Sequence, residues 1–451
     1  MQTEQMIYKK INKLEGTMDS IWTKGVEIPH FPTLEGDVNT DVLIIGGGIT
    51  GILCAYFLQE NGGDYVLLES NTIASGTTEN TTAKITLQHG LIYHKLLDDI
   101  GKELTMQYLK ANKEALGKYT ELCRNIDCDF EPKTSYVYTM DDWKILEQEA
   151  HALSQLGFEC RIENDTNLPF SIAGAIVFEG QAQFHPIKFI SKLSEGLRIY
   201  EHSHVKELKE NNAVTQKGSV RFKKAIFATH FPIDNKHGMY FLKMYQHRSY
   251  VIALENAAQL DGMYVDENIK GMSFRNYKNL LLVGGGDHRT GKTGGNWDEL
   301  RNFAKKYYPM AKEVGHWAAQ DCMSLDEIPY IGQYSKGLPN CYVATGFNKW
   351  GITSSMVAAM LLSDLVMEKY NPYQAVFNPS RSMLKPQLLV NGFEATKNLL
   401  TISTKRCPHM GCALKWNEVE HSWDCPCHGS RFDEDGTLLN NPANGDKVID
   451  D

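Results

Sequence analysis

The sequence predicts an α/β dinucleotide-binding fold joined to a small, turn-rich C-terminal unit. Three observations predict it. Asp41-Val-Leu-Ile-Ile-Gly-Gly-Gly-Ile-Thr-Gly51 is a buried-strand pattern running into a glycine turn, and Ile52 to Leu58 suits a helix packed on a sheet. Tyr65 to Glu69 reads as a second short strand. Far downstream, four cysteines crowd between Cys407 and His428, with His409 and His428 beside them.

A chain of 451 residues is long enough for two or three domains. With 42% hydrophobic and 22% charged residues it has the composition of a globular protein. The formal charge of −9 argues against a nucleic-acid partner, because phosphate binding relies on clustered Lys and Arg. No stretch reaches the roughly 18 to 20 apolar residues that span a bilayer. The N-terminal MQTEQMIYKKINKLEG has no apolar signal core, so the expected location is cytoplasmic.

The elements are expected in the following order. About 35 polar residues lead in, with Trp22, Ile28 and Phe31 packing on the domain surface. The strand–turn–helix and second strand come next. Helical periodicity then runs from about 100 to 160, and mixed strands follow to about 200. Lys224 to Thr229, Leu280 to Gly284 and Cys341 to Gly346 are buried-strand candidates, and Met356 to Met367 reads as an amphipathic helix. Asn371-Pro372 and Pro379 mark a linker. Cys54, Cys123, Cys128, Cys160, Cys322 and Cys341 share no spacing and read as free thiols.

Gly46, Gly48 and Gly51 fit G-x-G-x-x-G between strand and helix. Such glycines permit a tight turn, and the helix N-terminus then receives a pyrophosphate. Glu69 ends the next strand, where an acidic side chain holds a ribose hydroxyl. The alternative is a glycine turn used only for helix packing.

In the C-terminal unit, Cys407-Pro-His409 and Cys425-Pro-Cys427-His428 put two thiolates and two imidazoles around one site. A Rieske [2Fe–2S] centre needs that mixture, with cysteines on one iron and histidines on the other. A Cys2His2 zinc site is the alternative that ligand count permits. A second cysteine after each arm, loop-wrapping glycines and Ser430, able to donate to a sulfide, favour the cluster. The segment from Trp423 to Asp433, WDCPCHGSRFD, closely resembles the Rieske family. The resemblance places the cluster on Cys407, His409, Cys425 and His428 and implies a disulfide between Cys412 and Cys427. High-potential relatives carry tyrosine where this chain has Phe432, so a lowered potential is implied.

Segments spread over about residues 20 to 370 resemble the D-amino-acid oxidase, glycine oxidase and sarcosine oxidase superfamily of flavoenzymes. They are Ser75 to Ala83, Ala228-Thr229, Asp326 to Gly332 and Ala344 to Thr353. That resemblance implies FAD, with contacts from Gly46, Gly48, Gly51, Glu69, Ser75, Thr82, Ala83, Val205, Ala228, Thr229, Gly332, Gly346, Gly351 and Thr353. A glycine loop ahead of a helix at 346–353 would turn its positive end toward the flavin. Gly284-Gly-Gly286 runs into Asp287, His288 and Arg289 rather than a third spaced glycine, so no separate nicotinamide site is indicated.

The implied fold class is an α/β FAD-binding Rossmann-like domain with an interleaved sheet-rich substrate domain, plus a small all-β Rieske domain. Its expected bounds are about 1–375 for the flavoenzyme, with FAD-binding parts near 36–90, 191–234 and 326–375 and substrate parts near 91–190 and 235–325. A linker is expected at about 376–384 and the Rieske domain at about 385–451. Arg275, Tyr250 and His288 are substrate-pocket candidates, with Arg275 suited to a carboxylate. Surface pairing, core packing and loop capping are the respective alternatives. His89 is either a covalent flavin anchor or a polar neighbour. The expected reaction is oxidation of an amine or amino acid C–N bond, with electrons passing from FAD through the cluster to an external protein or quinone. Reversed flow through the cluster and an electron-transfer or redox-sensing module without turnover are the other readings.

Overall fold

A computed structural model describes residues 20–234, 237–403, 405–445 and 449–450. Two large sheets carry the first part of the chain. In the eight-stranded sheet, Leu338–Thr345, Gly218–Phe227, Gly36–Ile45, Tyr65–Leu68 and Ile199–Tyr200 lie side by side and parallel. The antiparallel strand Tyr330–Ser335 closes one edge. Val42 to Ile45, Tyr65 to Leu68 and Ala225 to Phe227 are the buried apolar runs of these parallel strands, as expected where a sheet is covered. Helix Ile49–Glu60 and helix Gly351–Val366 pack together beneath it.

Gly51 sets the approach of the first helix. A Cβ there would stand 1.9 Å from the Gly46 carbonyl oxygen, and one on Gly46 would stand 2.5 Å from the Ala228 oxygen. Only glycine lets strand, turn and helix close this tightly.

The second sheet has nine strands, ordered Lys312–Ser324, Met244–Glu255, Leu280–Arg289, Ser273–Tyr277, Gly262–Asp266, Glu131–Thr139, Gly174–Gln183 and Lys84–Ile85, with Arg161–Glu163 beside Gly174–Gln183. Nearly all its pairings are antiparallel; Gly262–Asp266 and Glu131–Thr139 are parallel. Strand side chains alternate between faces. On the first three strands, each face serves a different neighbour, as described below.

Four expectations change. Residues 100–160 are not continuously helical: helix Tyr93–Cys123 and helix Trp143–Gln155 flank strand Glu131–Thr139, whose apolar half, Ser135 to Thr139, is buried in the sheet. Trp22 is fully buried rather than lying on the surface; its ring meets His185 and Tyr277 edge-on and its Nε1 donates to Thr81 O. Met356 to Met367 is not amphipathic in effect, because helix Gly351–Val366 is buried on almost every side. The expected linker is pinned down. Val376 and Phe377 are buried, Arg381 forks onto Asp326 at 2.6 and 2.7 Å, and Lys243 Nζ donates to Pro379 O.

The C-terminal part is a four-stranded sheet, Lys415–Asn417, Ser422–Asp424, Arg431–Phe432 and Leu438–Asn440, with Lys405–Arg406 paired to Ile449–Asp450. Helix Pro386–Leu400 precedes it and was not expected from the sequence. Its amphipathicity is inverted. Asn391 and Asn398 are buried, while Leu389, Phe393 and Leu400 are 79%, 67% and 79% exposed. Asn391 explains the inversion, since it accepts from Arg289 and donates to Leu242 O. Among the described residues, no helix is long and apolar enough to cross a membrane.

Candidate functional site: a dinucleotide cavity walled by a cysteine–histidine centre

A cavity of about 770 Å³ opens from the glycine turn. Gly46, Gly48, Glu69, Ser75, Thr82, Val205, Ala228, Thr229 and Gly351 line it, as does His89. Glu69 Oε2 accepts from Gly47 N at 2.6 Å and Oε1 accepts from Asn71 N, which fixes the carboxylate at the cavity edge. Gly48 leaves the N-terminus of the first helix without a cap from its own side chain, and Thr78 Oγ1 accepts from Ile49 N. Half-buried His230 also lines this space, and its buried Nε2 has no partner. Open glycines, a helix start whose N-cap is a glycine and a fixed acidic residue suit a dinucleotide.

The remaining expected contacts act at one remove. Gly51 and Gly346 provide close approach, and Ala83 packs behind Thr82. Gly332 faces Pro379. Thr353 Oγ1 accepts from Thr86 N and donates to Thr86 O, tying the helix start at Gly351 to the loop after Lys84. His89 has both ring nitrogens engaged, Nδ1 with Tyr108 and Nε2 with Thr86 O, and it stacks on Trp350. Burial lowers its pKa to about 4. That arrangement is a polar neighbour's, with no ring nitrogen left for a covalent bond.

The substrate candidates fare differently. Arg275 does not border the cavity. Nη1 of its guanidinium donates to Thr82 O and Ala83 O, both at 2.7 Å, beneath the Trp22 ring, so it holds a loop, and its buried Nη2 has no partner. His288 also lies off the cavity, stacked on Tyr250. Tyr250 borders the cavity, but its hydroxyl donates to Glu420 of the C-terminal part. Sequence reasoning missed polar groups that do line the cavity: Ser249, Asp287, Asp321, Lys349 and Lys84. Burial, then the charge of Arg275, lowers the Lys84 pKa to about 7. Burial raises Asp321 to about 6, with Asp287 adding to the rise against Lys349.

Two loops of the C-terminal sheet bring Cys407, His409, Cys425 and His428 together. The Nδ1 atoms of His409 and His428 are 3.2 Å apart. Hydrogen bonding from Cys407 holds the Cys425 thiol below its usual value against burial, helped by the backbone N–H groups of His428, Cys427 and Gly429. Burial lowers His409 to about 4 and His428 to about 3, so both imidazoles are neutral donors at pH 7. Paired sulfurs and paired neutral nitrogens are the donor set a Rieske cluster requires. The sulfurs of Cys412 and Cys427 also lie close to Cys425, but they are joined to each other as a disulfide. Ser430 sits beside Cys407, and its hydroxyl also accepts from Ala443 N.

Phe432 is fully buried among these cysteines. Phe432→Tyr is expected to raise the cluster's midpoint potential in film voltammetry, since a hydroxyl donor to sulfur stabilises the reduced state. An unchanged midpoint would mean that the hydroxyl does not reach a ligand sulfur.

The cysteine–histidine centre is docked on the back of the sheet that floors the cavity. Tyr245, Ser249 and Val251 of one strand, and Ala319, Asp321 and Met323 of its neighbour, border the cavity. The intervening Gln246, Arg248 and Gln320 face the C-terminal part. Gln246 Nε2 donates to His428 O and Asn441 O, and Gln320 Nε2 donates to Gly429 O. A Cβ on Gly429 would stand 2.5 Å from that of Gln246, so glycine allows the contact. Arg248 bonds Glu420 through both nitrogens of its fork, Arg431 reaches Glu420 at 2.9 Å, and Asp424 takes Arg431 Nε. All four charges are at most 7% exposed. Residues Thr437 to Asn441 and Asn444 complete the cavity wall.

A strand–glycine–helix cavity and a two-thiolate, two-imidazole centre together define a flavin-dependent oxidoreductase with an iron–sulfur centre. The chain belongs to the FAD dependent oxidoreductase family, which matches residues 41–365, and carries a Rieske [2Fe-2S] domain over residues 381–448. FAD and a [2Fe–2S] cluster are accordingly its cofactors. It is 34% identical to a Rieske 2Fe-2S iron-sulfur protein of Bacillus subtilis, covering 94% of this chain and 96% of that one. It is 24% identical to gamma-glutamylputrescine oxidoreductase of Escherichia coli over 77% and 88% of the two chains. Glycine oxidase from Geobacillus kaustophilus shares the fold with a TM-score of 0.65 at 19% identity, covering 76% of this chain and 99% of that one.

Proposed function

We propose that this flavoenzyme oxidises the C–N bond of a small amine or amino acid and that the electrons leave through the Rieske cluster to an external protein or quinone. The substrate loses two electrons and two protons to become an imine, which water hydrolyses to a carbonyl compound and the free amine. FAD, when bound, supplies the two-electron acceptor, and the cluster, when bound, supplies a one-electron carrier. Gly46, Gly48 and Glu69 would hold the dinucleotide, and Cys407, His409, Cys425 and His428 the cluster. The helix start at Gly351, tied down by Thr353, would turn backbone N–H groups toward charge developing in the cavity.

One observation carries the electron route. Ala228, Thr229 and His230 line the cavity, while the next residue, Phe231, packs edge-on to His409 with ring centres 6.4 Å apart. Asn441 clamps the two sides together by donating to Thr229 O and Phe231 O. A single four-residue segment therefore borders both centres. The amine assignment is supported by gamma-glutamylputrescine oxidoreductase and by the fold shared with glycine oxidase.

An anaerobic titration tests the proposal. An amine or amino acid should bleach the flavin first and the cluster second. Flavin reduction with stoichiometric hydrogen peroxide on admitting air, and no cluster reduction at any point, would refute the electron route. Bleaching only by ferredoxin-like donors would reverse its direction, and no turnover with either would leave a redox module.

A further inference from the structure

We propose that the substrate is a diamine or polyamine lacking a carboxylate on the reacting carbon, with one ammonium group anchored between Asp287 and Asp321. This rests on the amine-oxidising reading above and narrows its substrate class.

The anchor is built on three adjacent strands. Asp287 lies on Leu280–Arg289, Ser249 on Met244–Glu255 and Asp321 on Lys312–Ser324, and all three border the cavity. The Asp287 side chain is only 8% exposed. Its Oδ2 takes Lys349 Nζ at 2.6 Å, but its buried Oδ1 has no partner, and neither has the buried Oγ of Ser249. A buried polar atom left unpaired is costly and in native proteins usually marks a missing ligand or water. Asp321 is in register with His247 of the middle strand, which in turn pairs with Arg289 two residues beyond Asp287, and the charge of Asp287 adds to the rise in the Asp321 pKa. One lysine faces two carboxylates here, so this end of the cavity carries an unbalanced negative charge. A cation with N–H donors satisfies both the charge and the open acceptors.

None of the three nearby arginines borders the cavity. Arg275 holds the carbonyls of Thr82 and Ala83, Arg248 faces away onto Glu420, and Arg289 donates to Pro426 O and Cys427 O. Of the lysines that border the cavity, Lys349 pairs with Asp287 and Lys95 with Glu327. Lys84 lies on the strand at the opposite edge of the sheet and bonds Thr82 Oγ1. A second nitrogen in the substrate resolves the chemistry. One stays protonated on the carboxylates, and the other, as free base, loses a hydride from its carbon to the flavin and a proton to solvent.

Ornithine and 1,4-diaminobutane differ only by the carboxylate, and butylamine lacks the second nitrogen. Anaerobic calorimetry of the FAD-loaded protein should show 1,4-diaminobutane binding at least about tenfold tighter than either, the worth of one charge-assisted hydrogen bond. Asp287→Asn, checked for retained FAD, should remove that advantage over butylamine. Tighter binding of ornithine, or an Asp287→Asn variant with undiminished affinity for 1,4-diaminobutane, would overturn the anchor. Flavin bleaching by ornithine alone would sink the anchor while keeping C–N oxidation, whereas no binding of and no bleaching by any of the three would sink both.

Discussion

Cys425→Ala is expected to yield a protein that retains FAD but contains no iron or acid-labile sulfide. Cys425 is fully buried and its sulfur faces the N–H groups of His428, Cys427 and Gly429, which favour the thiolate that ligates iron. Removing it leaves three donors, and neither remaining neighbour can replace it, because Cys412 and Cys427 are bonded to each other. The flavin cavity draws its floor and glycine turn from elements distant in sequence, so its occupancy should persist. Iron and sulfide analysis together with the visible spectrum decide the matter. A variant retaining two irons per chain would remove Cys425 from the ligand set. On the proposed electron route, the same variant should still bleach its flavin with substrate, yet lose reduction of one-electron acceptors.

The second large effect is expected at Glu420, which is 172 residues from its partner Arg248. Burial alone would raise its carboxyl pKa, but the charges of Arg248 and Arg431 and the bonds from Arg248 and Tyr250 outweigh it and hold the group far below the usual range. Glu420→Ala leaves Arg248 buried without a counter-charge, which costs about 3–5 kcal/mol in comparable pairs. Thermal unfolding should then separate into two transitions, and protease should cut the C-terminal domain free first. Arg431 keeps Asp424, so the double change Arg248→Met with Glu420→Leu removes one complete pair. It should recover most of the loss. A single change that unfolds with the native midpoint would show the network to be without weight. The pH sign follows from the lowered pKa. The contribution is complete above the unfolded carboxylate value of about 4.3 and fades only as pH falls well below it.

Much of the fold was legible because its signals are local. The strand at Gly36–Ile45, the glycine turn and helix Ile49–Glu60 follow from apolar runs and glycine spacing within 25 residues. The gathering of Cys407, His409, Cys425 and His428 was legible for the same reason: two short arms carry all four. The substrate side was not. Arg275 has the chemistry of a carboxylate fork, but its direction is set by contact with Thr82 and Ala83, nearly two hundred residues earlier in sequence. Asp287 entered the reading only as an interruption of a glycine pattern. Glu420 gave no signal, because its meaning comes from Arg248. Helix Pro386–Leu400 was missed because its buried face is marked by asparagines rather than by its leucines and phenylalanine.

The strand Met244–Glu255 carries a constraint on how this protein can diverge. Tyr245, Ser249 and Val251 look toward one cofactor's cavity, and Gln246 and Arg248 toward the other's domain. Point substitutions at Tyr245, Ser249 or Val251 can retune substrate choice while the dock survives. A single-residue insertion or deletion within that stretch cannot, because a slip of one exchanges the two sets of side chains. Length variation among relatives should therefore fall in the loops at either end of this strand and spare its interior.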